Sequence, residues 1–103
     1  MEREIKYIKV NIFGNIYTLK TDADEEYIKK LARYLNKKRE ELLGKNGGSS
    51  LLKDSIMVSL NIADEYHRLK EEVENIDKEL GKKTEGLIKK IEDGLTKEYI
   101  EIK

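Results

Sequence analysis

The chain has no cysteine, no proline and no tryptophan among its 103 residues, and its only histidine is His67. Without cysteine it can form neither a disulfide nor a thiolate metal site. A single histidine excludes paired-histidine zinc motifs and leaves little for acid–base catalysis. No apolar run approaches the roughly 18 residues that a membrane-spanning helix needs. We therefore expect no enzyme, no metal, no other cofactor and no membrane partner.

Apolar residues are also scarce, at 38% of the chain against 41% charged residues. The length suits one domain, but a core built from so few apolar side chains is marginal, and small chains commonly need an additional source of stability such as a disulfide, a metal or oligomerisation. Because disulfides and Cys/His metal sites are excluded, self-association remains as that source. The first four residues carry both charge signs and no apolar signal sequence follows them, so we expect a cytoplasmic protein.

Residues 5–20 have the alternating pattern of a β-hairpin. Ile8, Val10 and Ile12 alternate with polar residues in a strand predicted over 5–12. The turn residues Gly14 and Asn15 follow, and they tolerate the positive φ that hairpin turns require. A second strand is predicted over 16–20. An isolated two-stranded hairpin is barely stable in water, so a helix must cover one of its faces.

Residues 22–43 have the pattern of an amphipathic helix. We predict Thr21 or Asp22 as its N-cap, with an acidic residue three positions later completing a capping box. Gly44 suits the C-terminal end. Apolar side chains recur on one stripe at helical spacing, namely Ile28, Leu31, Ala32, Leu35 and Leu42. This stripe is predicted to cover the hairpin.

Residues 44–50 form a flexible loop rich in glycine and serine, and a long helix is predicted to follow it. Ser49 or Ser50 is the expected N-cap. Apolar positions on this helix recur at intervals of 4, 3, 4, 3 and 4, which is a heptad pattern. We call this set the seam; it comprises Ile62, Tyr66, Leu69, Val73, Ile76 and Leu80. A helix from about residue 50 to 80 is about 45 Å long, too long for the small head to cover, so the seam should pack against another copy.

Gly81 leaves the end of this helix open. The seam stays in phase beyond it, so the helix either continues at a cost of ~1 kcal/mol per interior glycine or breaks and resumes as a terminal helical segment over 84–100. The predicted fold class is α+β. A small head at 1–48 contains the hairpin and the first helix, and a long C-terminal helix at 49–103 forms an oligomeric coiled coil.

Charge is unevenly distributed, although the formal net charge is zero. Residues 1–48 hold 11 basic and 8 acidic side chains, a balance of +3, and residues 49–103 hold 10 and 13, a balance of −3. The first helix carries what we call the basic stripe, consisting of Lys29, Lys30, Arg33 and Lys37. A solvated face would explain it, and so would a docking surface for an acidic partner. An isoelectric point near 6.6 argues against nucleic acid as that partner.

Three stretches together resemble the ZapA family of bacterial cell-division proteins. They are VNIFGNIYTL at residues 10–19, EYI at residues 26–28 and SLNIADEY at residues 59–66, the last followed by LKE at residues 69–71. The similarity covers about residues 5–80. It implies dimers formed through α/β heads and tetramers formed through coiled C-terminal helices. It further implies binding to the tubulin-like GTPase FtsZ, with cross-linking or bundling of FtsZ filaments at the mid-cell division site.

Members of that family are not enzymes, although they can lower the GTPase turnover of FtsZ. The resemblance makes the basic stripe a candidate FtsZ contact. Asn36 and Arg39 occupy positions where the family often has Asp and Met. The residues alone leave open a second function, a nucleic-acid-associated coiled-coil module that uses the same basic face. They also leave open dimer against tetramer, and parallel against antiparallel helix packing.

Overall fold

The computed structural model describes residues 4–81 and 98–103 and has an α+β fold, which confirms the predicted class. Three strands form one antiparallel sheet in the order β1-β2-β3. The elements in chain order are β1 Lys6–Ile12, β2 Asn15–Thr21, α1 Glu25–Leu43, α2 Leu51–Glu79 and β3 Ile100–Ile102. The described residues fall into two compact units, 4–58 with 98–103, and 59–81.

The predicted hairpin is confirmed, with β1 and β2 joined by a two-residue turn at Phe13 and Gly14. Their φ angles are 56° and 86°, and positive φ at both positions is typical of a type I′ turn. Glycine adopts this conformation without strain, whereas phenylalanine rarely does. The Gly14 N–H donates to Asn11 Oδ1 at 3.0 Å, which stabilises the turn locally.

The core lies between one face of the sheet and α1. Ile8 and Val10 alternate with exposed residues along β1, so both side chains point to the same face of the sheet. Ile28 and Ala32 on α1 are buried, which confirms the centre of the predicted apolar stripe. The buried cluster consists of Ile8, Val10, Leu19, Ala23, Ile28 and Ala32, and Ile12, Tyr17 and Leu31 pack against it.

The predicted start of α1 is wrong. The helix begins at Glu25 instead of residue 22, and its N-cap, Asp24, makes no side-chain capping bond. Thr21 is fully buried, and its hydroxyl accepts a 2.9 Å hydrogen bond from the Ala23 N–H in the bend before the helix. That bond removes Thr21 as a cap. At the other end, Gly44 stops the helix as predicted, with φ 83° and its N–H donating to Glu40 O at 2.9 Å.

The long helix α2 begins at Leu51, where Ser50 is the cap. The Ser50 hydroxyl accepts a 3.3 Å hydrogen bond from the Lys53 N–H. The helix ends at Glu79, and Gly81 follows with φ 70°, a left-handed conformation that interrupts it. Neither helix in the described ranges combines the length and apolarity that crossing a bilayer would require.

A C-terminal strand, β3, replaces the predicted end of the helical segment 84–100. Ile100 and Ile102 lie opposite Thr21 and Leu19 of β2, so a helix that reaches residue 100 is wrong. Residues 84–97 of that segment lie outside the described residues. The strand forms because the outer edge of β2 supplies backbone partners, including Thr18 O, which accepts from the Lys103 N–H at 2.8 Å. The prediction that 49–103 is helical to its end therefore fails at β3.

Candidate functional site

The basic stripe lies on the exposed outer side of α1 because Ile28 and Ala32 occupy the side that faces the sheet. All four of its side chains belong to exposed residues, and they are Lys29, Lys30, Arg33 and Lys37. Two of them form ion pairs one helical turn away: Lys29 with Glu25 at 3.7 Å, and Lys37 with Glu41 at 4.0 Å. Such exposed pairs contribute little energy and are easily exchanged for another partner.

Lys30 and Arg33 form no ion pair with any residue in the described part of the chain. They lie on consecutive turns of the outer side of α1, where an approaching acidic surface would meet them first. The basic stripe therefore presents two positive charges without an ion pair in the described residues, Lys30 and Arg33, between two cations that form weak ion pairs. This arrangement suits a weak, salt-sensitive contact with an acidic partner.

Arg39 belongs to the same basic stretch of sequence but has a structural role. Its guanidinium Nε and one terminal nitrogen lie 3.1 Å from Asp54 Oδ2, and it sits 5.3 Å from the centre of the Phe13 ring. Asp54 is only 2% exposed, and both of its oxygens also accept from the Gly48 N–H. The ion pair thus joins α1, the glycine loop and the first turn of α2.

The glycine loop is more closely packed than its composition predicts. A Cβ atom on Gly48 would collide with Asp54 Oδ1, and one on Gly47 would collide with the Arg39 guanidinium. Gly47 also has φ 72°, which favours glycine. These glycines are therefore required by the Arg39–Asp54 ion pair, besides any freedom they give the connection.

The strand β1 adds a cation that sequence reasoning missed. Because β1 runs beside α1, Lys9 shares a groove of about 250 Å³ with Lys29 and Arg33. The amides of Asn11 and Asn36 line the same groove. The alternation along β1 put Lys9 on the side away from Ile8 and Val10, but nothing in the pattern indicated which cations of α1 it would meet.

The seam lies along α2 with its side chains only partly covered. Leu69, Ile76 and Leu80 are 54%, 53% and 63% exposed, which is a large fraction for leucine and isoleucine. The other three seam residues are half-buried, and they are Ile62, Tyr66 and Val73. Leu80 lies just beyond the end of α2, but its N–H still donates to Ile76 O at 3.0 Å, so it stays on the last turn.

The described residues offer no arrangement with the features of a catalytic or metal site. His67 is exposed on α2 and contacts the Tyr66 ring edge-on, with 5.1 Å between ring centres. Ser50 caps α2, and the Ser55 hydroxyl donates to Leu51 O. No cluster of three or more histidine or carboxylate side chains that could hold a metal occurs within residues 4–81 and 98–103.

Among the described residues, one pair of titratable groups has shifted pKa values, and it lies on the surface around β3. The Tyr99 hydroxyl donates to the Glu101 carboxylate. That hydrogen bond raises the pKa of Tyr99, and it lowers the pKa of Glu101, aided by the charge of Lys103. Both groups are exposed, so these shifts describe a surface contact on a short strand and indicate no catalytic pocket.

Comparison with known proteins gives a consistent result. The family model described as "Cell division protein ZapA" matches residues 8–91. A cell division protein ZapA from Shouchella clausii is 38% identical over 69 residues, which cover 67% of this chain and 88% of the relative. The corresponding protein of Geobacillus kaustophilus is 30% identical over 79 residues, covering 77% and 87%. No solved structure matches the chain. The strand β3 lies beyond the residues that the family model matches.

Proposed function

The chain belongs to the ZapA family of cell-division proteins, and from this we propose that it binds FtsZ polymers and cross-links or bundles them at the mid-cell division site. It does so in the cytoplasm and without catalysis of its own, and it lowers the GTPase turnover of FtsZ by holding the filaments together. The role in cell division follows from family membership. The partner, the contact surface and the assembly are the proposal.

The basic stripe is the observation that carries this proposal. Lys30 and Arg33 project from α1 without an ion-pair partner in the described residues, and Lys29 and Lys37 flank them. A charge contact of this kind gives fast association and modest affinity. A filament repeats its surface, so many such contacts can form along one polymer.

The seam supplies the second requirement, which is more than one binding surface per particle. Its side chains are too exposed for a single chain, so we propose that α2 packs against α2 of other copies to form a homodimer and a homotetramer. Joining two or four weak contacts in one particle raises the overall avidity and allows it to bridge two filaments.

The test is co-sedimentation with purified FtsZ polymers. The triple variant Lys30→Glu, Arg33→Glu and Lys37→Glu should remain in the supernatant, because the stripe would then repel an acidic filament. Its mass by light scattering should equal that of the wild type. A matched control reverses three exposed lysines outside the stripe, Lys45→Glu, Lys53→Glu and Lys78→Glu, which gives the same net charge.

The control should pellet like the wild type. If the stripe variant also pellets, the stripe is not the FtsZ contact. A gel shift with DNA and RNA, run on the same preparations, separates the alternative function. Binding that weakens steeply with salt and is lost in the stripe variant would favour a nucleic-acid module instead.

A further inference from the structure

The outer edge of β1 has backbone groups that no described residue pairs with. The pair Ile12 and Asn15 closes the two-residue turn, and hydrogen-bonded pairs then alternate along the hairpin. The N–H and C=O groups of Tyr7, Lys9 and Asn11 consequently point away from β2, towards the open edge. No described residue forms a backbone hydrogen bond with these groups of Tyr7 or Lys9.

Asn36 closes one end of this edge. Its side-chain amide donates to Asn11 O at 2.9 Å and accepts from the Phe13 N–H at 2.8 Å. Asn11 and Phe13 are two residues apart, and a residue of an adjacent parallel strand would use its own N–H and C=O to bond the same two positions. The amide therefore substitutes for a strand residue beside the turn, and within the described residues the edge stays open at Tyr7 and Lys9.

The groove beside the open edge is cationic. It lies between β1 and α1, has a volume of about 250 Å³, and is lined by Lys9, Lys29 and Arg33 together with Asn11 and Asn36. None of the described residues that line it is acidic. Lys9 and Arg33 form no ion pair within the described residues. We call this surface the edge groove.

We propose that the edge groove binds an extended acidic peptide segment of the partner, which adds to the sheet as a strand beside β1. The peptide backbone would bond to Tyr7 and Lys9, and alternate carboxylates would lie near Lys9 on one side and near Lys29 and Arg33 on the other. This inference rests on the proposed function, because two of the cations belong to the basic stripe. It adds the chemistry of the partner segment and the way in which it binds.

Charge favours an acidic peptide over a second copy of this chain. Two copies paired edge to edge through β1 would bring Lys6 and Lys9 of both chains together, and edge lysines generally oppose such pairing. Carboxylates on an added strand would neutralise the same cations. The end formed by Asn36 would also fix how far the added strand can extend towards the turn.

The probe is a blocked eight-residue peptide in which pairs of glutamates alternate with pairs of valines, so that an extended strand carries carboxylates on both faces. It is titrated into the full chain. We expect the N–H groups of Tyr7 and Lys9 to become protected from hydrogen exchange, as measured by NMR. The same peptide with an N-methylated backbone keeps every carboxylate but has no N–H donors. Because each backbone bond is worth about 1 kcal/mol, this second peptide should bind at least about tenfold more weakly.

Charge variants on β1 complete the test. Lys9→Glu should abolish peptide binding and reduce pelleting with FtsZ, since it replaces a cation that lines the edge groove by an anion. Lys6→Glu is the matched control, because it makes the same change on the same strand at a residue that does not line the groove. The control should bind the peptide like the wild type.

Two results would overturn the inference. One is equal binding of the N-methylated and unmodified peptides, which would show charge attraction without strand addition. The other is unprotected Tyr7 and Lys9 amides at millimolar peptide. Failure of the proposed function looks different: the peptide would protect both amides, but the wild-type chain would not pellet with FtsZ. If the chain pellets and the amides stay unprotected, only the edge groove is refuted.

Discussion

Two polar residues of α1 hold the hairpin turn from a distance in sequence. Asn36 bonds the backbone at Asn11 and Phe13, and Arg39 lies over the Phe13 ring. Phe13 needs such support because its positive φ is unfavourable for a residue with a bulky side chain. Asn36 and Arg39 thus stabilise a hairpin turn more than 20 positions earlier in the chain. Arg39 extends the connection to α2 through its ion pair with Asp54.

Asp54→Asn should destabilise the fold by roughly 2 to 3 kcal/mol, because it leaves the largely buried Arg39 guanidinium without its counter-charge. The two side chains are 19% and 3% exposed, so water cannot replace the lost partner. Asparagine keeps nearly the same shape and can still accept from the Gly48 N–H. The measurement is urea unfolding at a fixed protomer concentration, since self-association adds to apparent stability.

A second Arg–Asp pair in the chain provides the control. Arg68 Nε lies 3.0 Å from Asp64 Oδ2, almost the same distance, but these side chains are 76% and 56% exposed. Asp64→Asn should therefore change the unfolding free energy by less than about 0.5 kcal/mol. Similar losses for the two variants would mean that burial does not govern the strength of the Arg39–Asp54 pair.

Among the helices and strands, the sequence pattern predicts those features that depend on contacts between residues close in sequence. Four features depend on residues close in sequence, and each was predictable: the hairpin, the apolar stripe of α1, the Gly44 stop and the Ser50 cap. Thr21 was assigned wrongly because its burial and its bond to the Ala23 N–H depend on how the sheet meets α1. The strand β3 was missed because three residues carry too little periodicity, and its partner lies about 80 positions away.

Deleting residues 98–103 should expose the outer edge of β2. Lys20 faces Glu101 in a hydrogen-bonded pair, so the Lys20 N–H should exchange faster with solvent once β3 is absent. The Leu19 N–H points to β1 and should keep its protection, which makes it an internal control. The measurement is residue-resolved hydrogen exchange by NMR.

Uniform loss of protection along β2 would contradict this expectation, because it would mean that β3 stabilises the whole sheet. Unchanged exchange at Lys20 would show that β3 does not occupy this edge. Faster exchange at Lys20 alone is the expected result, because β3 is held at this edge by a local bond: the Asp22 carboxylate accepts from the Tyr99 N–H at 2.9 Å at the start of the strand.

At the scale of the molecule, two surfaces stand out: the basic stripe on α1, which carries exposed positive charge, and the seam on α2, which carries exposed apolar side chains. Helical spacing alone predicted the basic stripe, because it depends only on which residues oppose Ile28 and Leu31 on α1. It could not predict that Lys9 of β1 lines the same groove as Lys29 and Arg33, because that arrangement depends on how the strand packs beside the helix. The seam was predictable as a pattern, and the partner proposed for it, a second copy of the chain, lies outside a single chain.

Leu69→Glu combined with Ile76→Glu should lower the oligomeric state. Both side chains are about half exposed in one chain, so the substitutions cost that chain little, but they would place charges at the centre of a coiled-coil interface. The measurement is mass by sedimentation equilibrium. Asn75→Glu adds one negative charge next to Ile76 but off the seam, and it should leave the mass unchanged. A double variant of wild-type mass would refute the seam as the interface, whereas a smaller particle that no longer bundles FtsZ would tie bridging to assembly.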